Sequence, residues 1–260
     1  MKKKFFLFTM VFLIFVSTII IYSIRLEKFM GIKTNGSGQA ITFTDITGLD
    51  LPIQTVSFWI KRSSYITNTT IKYAAGISGW FVLLDGEING NGSMDIAVLP
   101  SGNPGIWSTP AGTIGLNILY HIVIRYDASS LLNNPSVTVN DNFISLTKIQ
   151  TPTGILTGSK TCVIGGTVRS IVGDTYQYRI YNRLLSDNEI SQIYSMRGKD
   201  SIYGGLVFCP ILYGAGGAQI FDGSNLLSTN LFLDPCSQKY GVPSGSPIGI
   251  GETYFMYRPN

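Results

Sequence analysis

The 260-residue chain has one histidine, three cysteines and 13% charged residues. That charge content is about half of what a soluble domain usually carries. With a single histidine, every Ser-His or Cys-His catalytic pair would have to run through His121. On a strand its same-face neighbours include Val123 and Arg125, and neither is an acidic group that would orient an imidazole base. The cysteines, Cys162, Cys209 and Cys236, form no Cys-x-x-Cys and no metal-ligand spacing. Cys162 lies in an apolar run and reads as a buried thiol. Cys209 and Cys236 are a candidate disulfide pair outside a reducing compartment. The Gly165-Gly166 pair lacks the third glycine and following helix of a dinucleotide fingerprint. Stretches rich in the Ala, Leu, Glu and Lys of long helices are also scarce.

Basic charge is scarce too once it is located. Lys2, Lys3 and Lys4 supply three of the four net positive charges, and Arg25, Glu27 and Lys28 supply the fourth. The remainder balances near zero, so the pI of 8.9 is no argument for nucleic acid.

Residues 5–24, FFLFTMVFLIFVSTIIIYSI, contain no charge, proline or glycine. Twenty residues at a helical rise span about 30 Å, the width of a bilayer core. The lysines ahead of the run favour a cytoplasmic N-terminus. A cleaved signal peptide would have a shorter core and a small-residue cleavage site, which Tyr22, Ile24, Leu26 and Lys28 do not supply. The expected organisation is a basic cytoplasmic end at 1–4, a transmembrane anchor at 5–24 in contact with the lipid bilayer and a stalk at 25–38. A β domain follows at 39–197, then a glycine-rich extension at 198–260. The domain then faces the extracellular, periplasmic or lumenal side of a single-pass protein.

From residue 39 the pattern alternates with period two between turn signals. In Thr55 to Lys61, Val56, Phe58 and Ile60 share the core face. Trp59 points the other way and is either covered by another layer or lines a groove. In Asn117 to Asp127, Tyr120, Ile122, Ile124 and Tyr126 oppose His121, Val123 and Arg125. Residues 100–117 hold three prolines and read as a long loop, with Trp107 either plugging the sandwich or presented for binding. Asp141-Asn142 reads as a hairpin turn. Tyr176, Tyr178 and Ile180 share a face, and Ser186-x-x-Glu189 then opens a short helix as a capping box carrying Ile190 and Ile193. Many short strands and one short helix exclude βαβ alternation. They predict an all-β fold, a two-sheet antiparallel jelly-roll sandwich preceded by a single transmembrane helix.

Three segments carry a resemblance. They are Val56-Ser-Phe-Trp-Ile-Lys61; Tyr120-His-Ile-Val-Ile-Arg-Tyr-Asp127 with Val139-Asn140 beyond it; and Ile164-Gly-Gly166 followed by Arg179-Ile-Tyr-Asn-Arg-Leu-Leu-Ser-Asp-Asn-Glu-Ile190 through Tyr194. Together they make residues 38–197 resemble the laminin-G-like, concanavalin A-like lectin-glucanase superfamily in its bacterial and phage or viral form. The third segment is the most specific. Tyr120 stands where that family commonly has Trp, and Asn142 stands where it has the hairpin Gly.

The resemblance implies a non-catalytic recognition module for a carbohydrate or protein ligand. Trp59, Trp80 and Trp107 are the candidate ligand-binding aromatics. It also admits calcium as a cofactor, with Asn91, Asp95, Asp127, Asn140 and Asp141 as loop-edge ligands. Nucleic acid is not an expected partner. The alternative is a structural or assembly protein of a cell surface or virion, forming a homo-oligomer through residues 198–260. Some relatives are glycoside hydrolases, but their paired carboxylates lie about 5 to 9.5 Å apart. No strand here presents such a pair, and Asp85 and Glu87 flank a glycine turn.

Overall fold

The computed structural model describes residues 31–35, 40–65, 73–77, 80–84, 92–156, 158, 160–165, 171–197, 200–210, 232–234, 239–244 and 248–250. The anchor segment 5–24 lies outside them. Among the described residues, no helix is long and apolar enough to cross a membrane.

The strands, numbered in chain order, form two hydrogen-bonded antiparallel sheets. The first runs β10 (Asn142–Ile144), β9 (Ser136–Val139), β8 (Leu119–Asp127), β3 (Ile53–Arg62), β13 (Val172–Tyr181), β1 (Gly31–Asn35), β17 (Ile248–Ile250). β14 (Leu206–Phe208) also pairs with β13. The second runs β11 (Thr147–Gln150), β7 (Gly105–Ser108), β6 (Met94–Val98), β5 (Trp80–Leu84), β4 (Tyr73–Ile77), β12 (Cys162–Gly165), β2 (Ala40–Phe43), β16 (Lys239–Ser244), β15 (Phe232–Asp234). The one helix among the described residues is α1 (Asp187–Ser195).

Alternation produces the main core. Val56, Phe58 and Ile60 of β3 and Ile122, Ile124 and Tyr126 of β8 meet Ile41, Phe43, Met94, Ile96 and Ile164 of the second sheet. Phe58 stacks on Tyr178 at 5.5 Å, and Phe43 meets Phe208 edge-on at 4.9 Å. Aromatic pairs of this kind add about 0.5–1.5 kcal/mol beyond the area they bury.

Five expectations are corrected here. Tyr176 does not share a face with Tyr178 and Ile180. Gln177 has φ of 46°, and the register against β3 shifts between Tyr176 and Arg179. One extra residue in β13 makes a bulge that reverses the phase of alternation. Tyr176 therefore sits opposite Trp59, and Arg179 opposite Ser57, on the outer face.

The hairpin turn is Asn140-Asp141, one residue earlier than the pattern suggested. Val139 pairs with Asn142, and both turn residues have positive φ, 50° and 65°. That is the turn whose twist matches paired strands. The stretch 100–117 is not one loop, because β7 runs through it and places Trp107 on a strand.

The stalk is shorter than 25–38, since Gly31–Asn35 pairs with β13. Finally, residues 198–260 are not merely an appendage to a domain ending at 197. β14 pairs with β13, β16 with β2 and β17 with β1, so this part of the chain extends both sheets.

Candidate functional site

The outer face of the first sheet is a polar layer covered by α1. The helix starts where a serine hydroxyl can replace a missing intrahelical partner. Ser186 Oγ accepts from the Glu189 amide at 3.3 Å, and the Ser186 amide donates to Glu189 Oε2 at 2.8 Å. Arg183 donates to both Glu189 oxygens at 2.6 and 2.9 Å. That fork, with burial opposing and the Ser186 bonds adding to it, holds the Glu189 carboxyl down at about 2.

The Thr55 hydroxyl donates to the Arg183 carbonyl at 2.7 Å and accepts from the Leu185 amide at 3.0 Å. Arg125 donates to the Leu185 carbonyl at 3.0 Å and to Asp187 at 2.7 Å. Ile190, Ile193 and Leu185 then close on Val123 and Tyr181 in a second, small core.

Trp59 and His121 lie under this cover. Trp59 is 5% exposed, with its ring 4.8 Å from His121 and stacked at 5.8 Å on Tyr194 of α1. His121 Nε2 and the Ser57 hydroxyl share a hydrogen bond of 2.9 Å, while Nδ1 has no hydrogen-bond partner among the described residues. Burial, and then the nearby Arg179 charge, lower the imidazole pKa from 6.5 to about 3. The ring is neutral at physiological pH, sealed from solvent and not oriented by a carboxylate. It is a packing element of the layer.

Beside it, Arg179 donates to both oxygens of Asp200 at 2.9 Å. The Asp200 side chain is fully buried, and the Tyr181 hydroxyl donates to the Ile202 carbonyl at 3.1 Å. Sequence reasoning missed Asp200. It follows a helix and a glycine, with no local pattern to mark it as the partner of a residue on β13.

Of the proposed ligand-stacking aromatics, Trp59 and Trp107 are not brought together: one lies on the outer face of the first sheet and the other in the second sheet. Trp107 is 1% exposed, packs 6.1 Å from Tyr126 and donates its indole N–H to Asn134 at 3.0 Å. Lys148, on edge strand β11, lies over its ring at 5.6 Å. An inward-leaning lysine on an edge strand also discourages pairing with another chain. Trp80 lies in β5, paired with Ile77 and Val98. Trp59 and Trp107 are therefore framework residues, corrected from ligand-binding candidates. Their large apolar rings are worth more buried, Trp59 under α1 and Trp107 inside the sandwich, than in water.

The candidate metal ligands are likewise dispersed. Asn140 Oδ1 accepts from the His121 amide near the start of β8, whereas Asp127 ends β8 and accepts from the Ser129 amide. Six residues of strand separate those ends, about 20 Å. Asp141 accepts from Ser191 of α1, and Asp95 is buried in β6 of the other sheet. Asn91 lies outside the described residues. No group of three or more His, Cys, Asp or Glu able to hold a metal occurs among the described residues. Cys209 is disulfide-bonded and Cys162 is free and buried. The remaining cysteine, Cys236, lies outside the described residues.

Among the described residues, loops lie at both ends of the sheets. At one end are loops 44–52, 99–104, 128–135, 151–156 and 182–186, because β2, β6, β8, β11 and β13 all finish there. At the other lie loop 109–118 and the Asn140-Asp141 turn, with exposed Ile118 and Phe143 nearby.

The described residues form an all-β antiparallel sandwich with one short helix. It is similar to a Bacteroides ovatus protein described as a candidate carbohydrate-binding protein, at 19% identity and a TM-score of 0.59. The match covers 86% of this chain and 60% of that one. It is also similar to the heptameric SAP-like pentraxin of Limulus polyphemus (16% identity, TM-score 0.48, 66% of this chain and 84% of that one). A third likeness is to the ligand-binding domain of botulinum neurotoxin serotype D, solved with N-acetylneuraminic acid (19% identity, TM-score 0.46, 63% of this chain and 41% of that one). The first likeness establishes the fold; the other two are too distant to add to it. No protein-family profile matches the sequence. No curated protein matches it either.

Proposed function

We propose that this chain is a membrane-tethered, outward-facing recognition module that binds a glycan or protein ligand without catalysing a reaction. The carrying observation is the placement of the single histidine. His121 packs against both Trp59 and Tyr194, at 4.8 and 6.0 Å, and is held neutral beneath α1, so it supports a scaffold rather than a reacting centre. Fold does not fix function, so the ligand is argued from surfaces. With Trp59 and Trp107 buried, recognition falls to the loop ends. There, Asn, Asp, Gly and isolated apolar side chains are presented on rigid strand ends.

Within this reading the chain is a laminin-G-like domain, supported by the Arg179 to Tyr194 segment, and residues 5–24 are its anchor. A structural or assembly role is the second reading. It is favoured by the low charge and by the length of chain beyond α1. Against it, β16 pairs with β2 and β17 with β1 of this same chain.

The test is a glycan array probed with the full chain in lipid nanodiscs, with calcium and then with a chelator, alongside its mass in detergent. Saturable binding to one glycan class is expected. Calcium dependence would bring a rim metal into the proposal. No glycan signal with a defined oligomer would favour assembly.

A further inference from the structure

We infer that β10, the edge strand of the first sheet, pairs with β10 of a second copy of this chain, with Phe143 on the two-fold axis. This contact is independent of the proposed ligand and of the anchor at residues 5–24.

Two strands border this side of the sandwich. β10 ends the first sheet and β11 ends the second, and Ser145-Leu146 joins them. Residues 141–143, 145 and 147–149 are all exposed, so the chain itself leaves this side open. The two edges are built differently. β11 is defended against a foreign strand. Its register slips between Lys148 and Gln150, which leaves Ile149 in a bulge, and Lys148 leans over Trp107. β10 has neither device. It carries no charge, proline or glycine, and its pairs with β9 run unbroken: Asn142 with Val139, Phe143 with Thr138 and Ile144 with Val137. An undefended edge is a template for a further strand.

The Asn140-Asp141 turn fixes which backbone groups of β10 are free. In a two-residue hairpin the residues flanking the turn form a hydrogen-bonded pair, and bonded and non-bonded pairs alternate from there. Val139–Asn142 and Val137–Ile144 are therefore the bonded pairs. The Phe143 N–H and C=O point the other way, out of the sheet at its open edge. The Phe143 side chain shares a row on the outer face with Thr138 and Val123 and is 68% exposed. A free backbone donor, a free acceptor and an unburied aromatic ring thus coincide at one residue. Large aromatic side chains of this kind are the usual anchors of protein contacts.

The shortness of β10 selects the occupant. One outward pair of backbone groups is too short a ladder for an extended peptide, whose affinity comes from a run of main-chain bonds. A second copy brings a folded surface with it, and β10 is complementary to itself. Antiparallel pairing about Phe143 sets Phe143 opposite Phe143, and both N–H to C=O bonds then form between the same two residues. Asn142 faces Ile144 and Asp141 faces Ser145, so no like charges meet. Asp141 already accepts from Ser191 of α1 and lies opposite a hydroxyl residue. The first sheets of the two copies run on as one, with both α1 helices on the same outer face.

The test is the mass of the full chain in detergent over a concentration series, by analytical ultracentrifugation, for the unsubstituted chain, Phe143→Lys and Ile155→Lys. The unsubstituted chain should form a dimer. Phe143→Lys should weaken it at least about tenfold, as loss of a central anchor does. Ile155→Lys, on an exposed loop away from β10, should leave it intact. Phe143→Cys should give a covalent dimer on oxidation, because residues paired in this way lie about 5.5 Å apart, within the span of a disulfide. The unsubstituted chain under the same oxidation supplies the background. Near-UV circular dichroism matching the unsubstituted chain shows that each variant is folded. A monomer at every concentration overturns the inference. So does a dimer that Phe143→Lys leaves unchanged, which would move the contact to another part of the chain.

Discussion

The two faces of the first sheet use the same strands to opposite ends. On the inner face β3, β8 and β13 present Val56, Phe58, Ile60, Ile122, Ile124 and Tyr178, and burial needs nothing but close packing against the other sheet. On the outer face the same strands present Thr55, Ser57, His121, Arg125 and Arg179. These are buried or half-buried under a nine-residue helix. A polar group removed from water costs free energy unless it is hydrogen-bonded. The inner face is therefore tolerant of exact partners and demanding of volume. The outer face is the reverse: each group there has a specific partner, and losing one partner strands the other.

The comparison is broken most severely from inside. Phe58→Ala should cost about 3–5 kcal/mol and Ile122→Ala about 2–5 kcal/mol in chemical denaturation. A loss below about 1 kcal/mol for either would contradict the packed inner face. On the outer face, Asp200→Ala leaves the Arg179 guanidinium buried without its carboxylate and should cost about 3 kcal/mol. The double variant Arg179→Met with Asp200→Leu should recover most of that loss. If it is as unstable as the single variant, the layer depends on volume after all.

Acid provides a gentler probe. His121 has a folded pKa of about 3 against 6.5 in the unfolded chain, so the unfolded chain takes the proton first. Stability is fully present above pH 6.5 and falls as pH drops toward 3, by about 1.4 kcal/mol per pH unit for one proton. His121→Gln should flatten the upper part of that slope. Glu189 adds its own loss only between its ordinary 4.5 and about 2. An unchanged slope between pH 6.5 and 5 in the variant would mean that another group titrates there. The smallest effect is expected at the cap, where Ser186→Ala should cost about 1 kcal/mol, read by thermal or chemical unfolding.

How much of this was legible follows from the same contrast. Strand facing in β3 and β8 was readable because a period of two is a local property. The helix start was readable because Ser186 and Glu189 are three residues apart. The face of Tyr176 was not, because a bulge at Gln177 reverses phase without any glycine to announce it. Trp59 and Trp107 looked available for a ligand because a sequence shows which side of a strand a residue takes, not what lies over it. The Arg179–Asp200 pair was invisible because its partners are brought together by the path of the chain after α1. The short stalk and the strands beyond residue 198 were missed for a related reason. β1 and β17 each find their partners far along the chain.

The pairing of β2 with β16 also sets an order of events during synthesis. Ile41 sits opposite Pro243, about 200 residues later in the chain, and Gly31 opposite Ile250. Neither contact can form until residues 243 and 250 have been made, and closures at such separations are slow. Until then the free edge of β2 stands open as a template for any passing strand. A chain released before residue 239 would keep β12 beside β2 and β13 beside β1 but leave the other edge of each open, so residues 239–250 protect the earlier strands from aggregation.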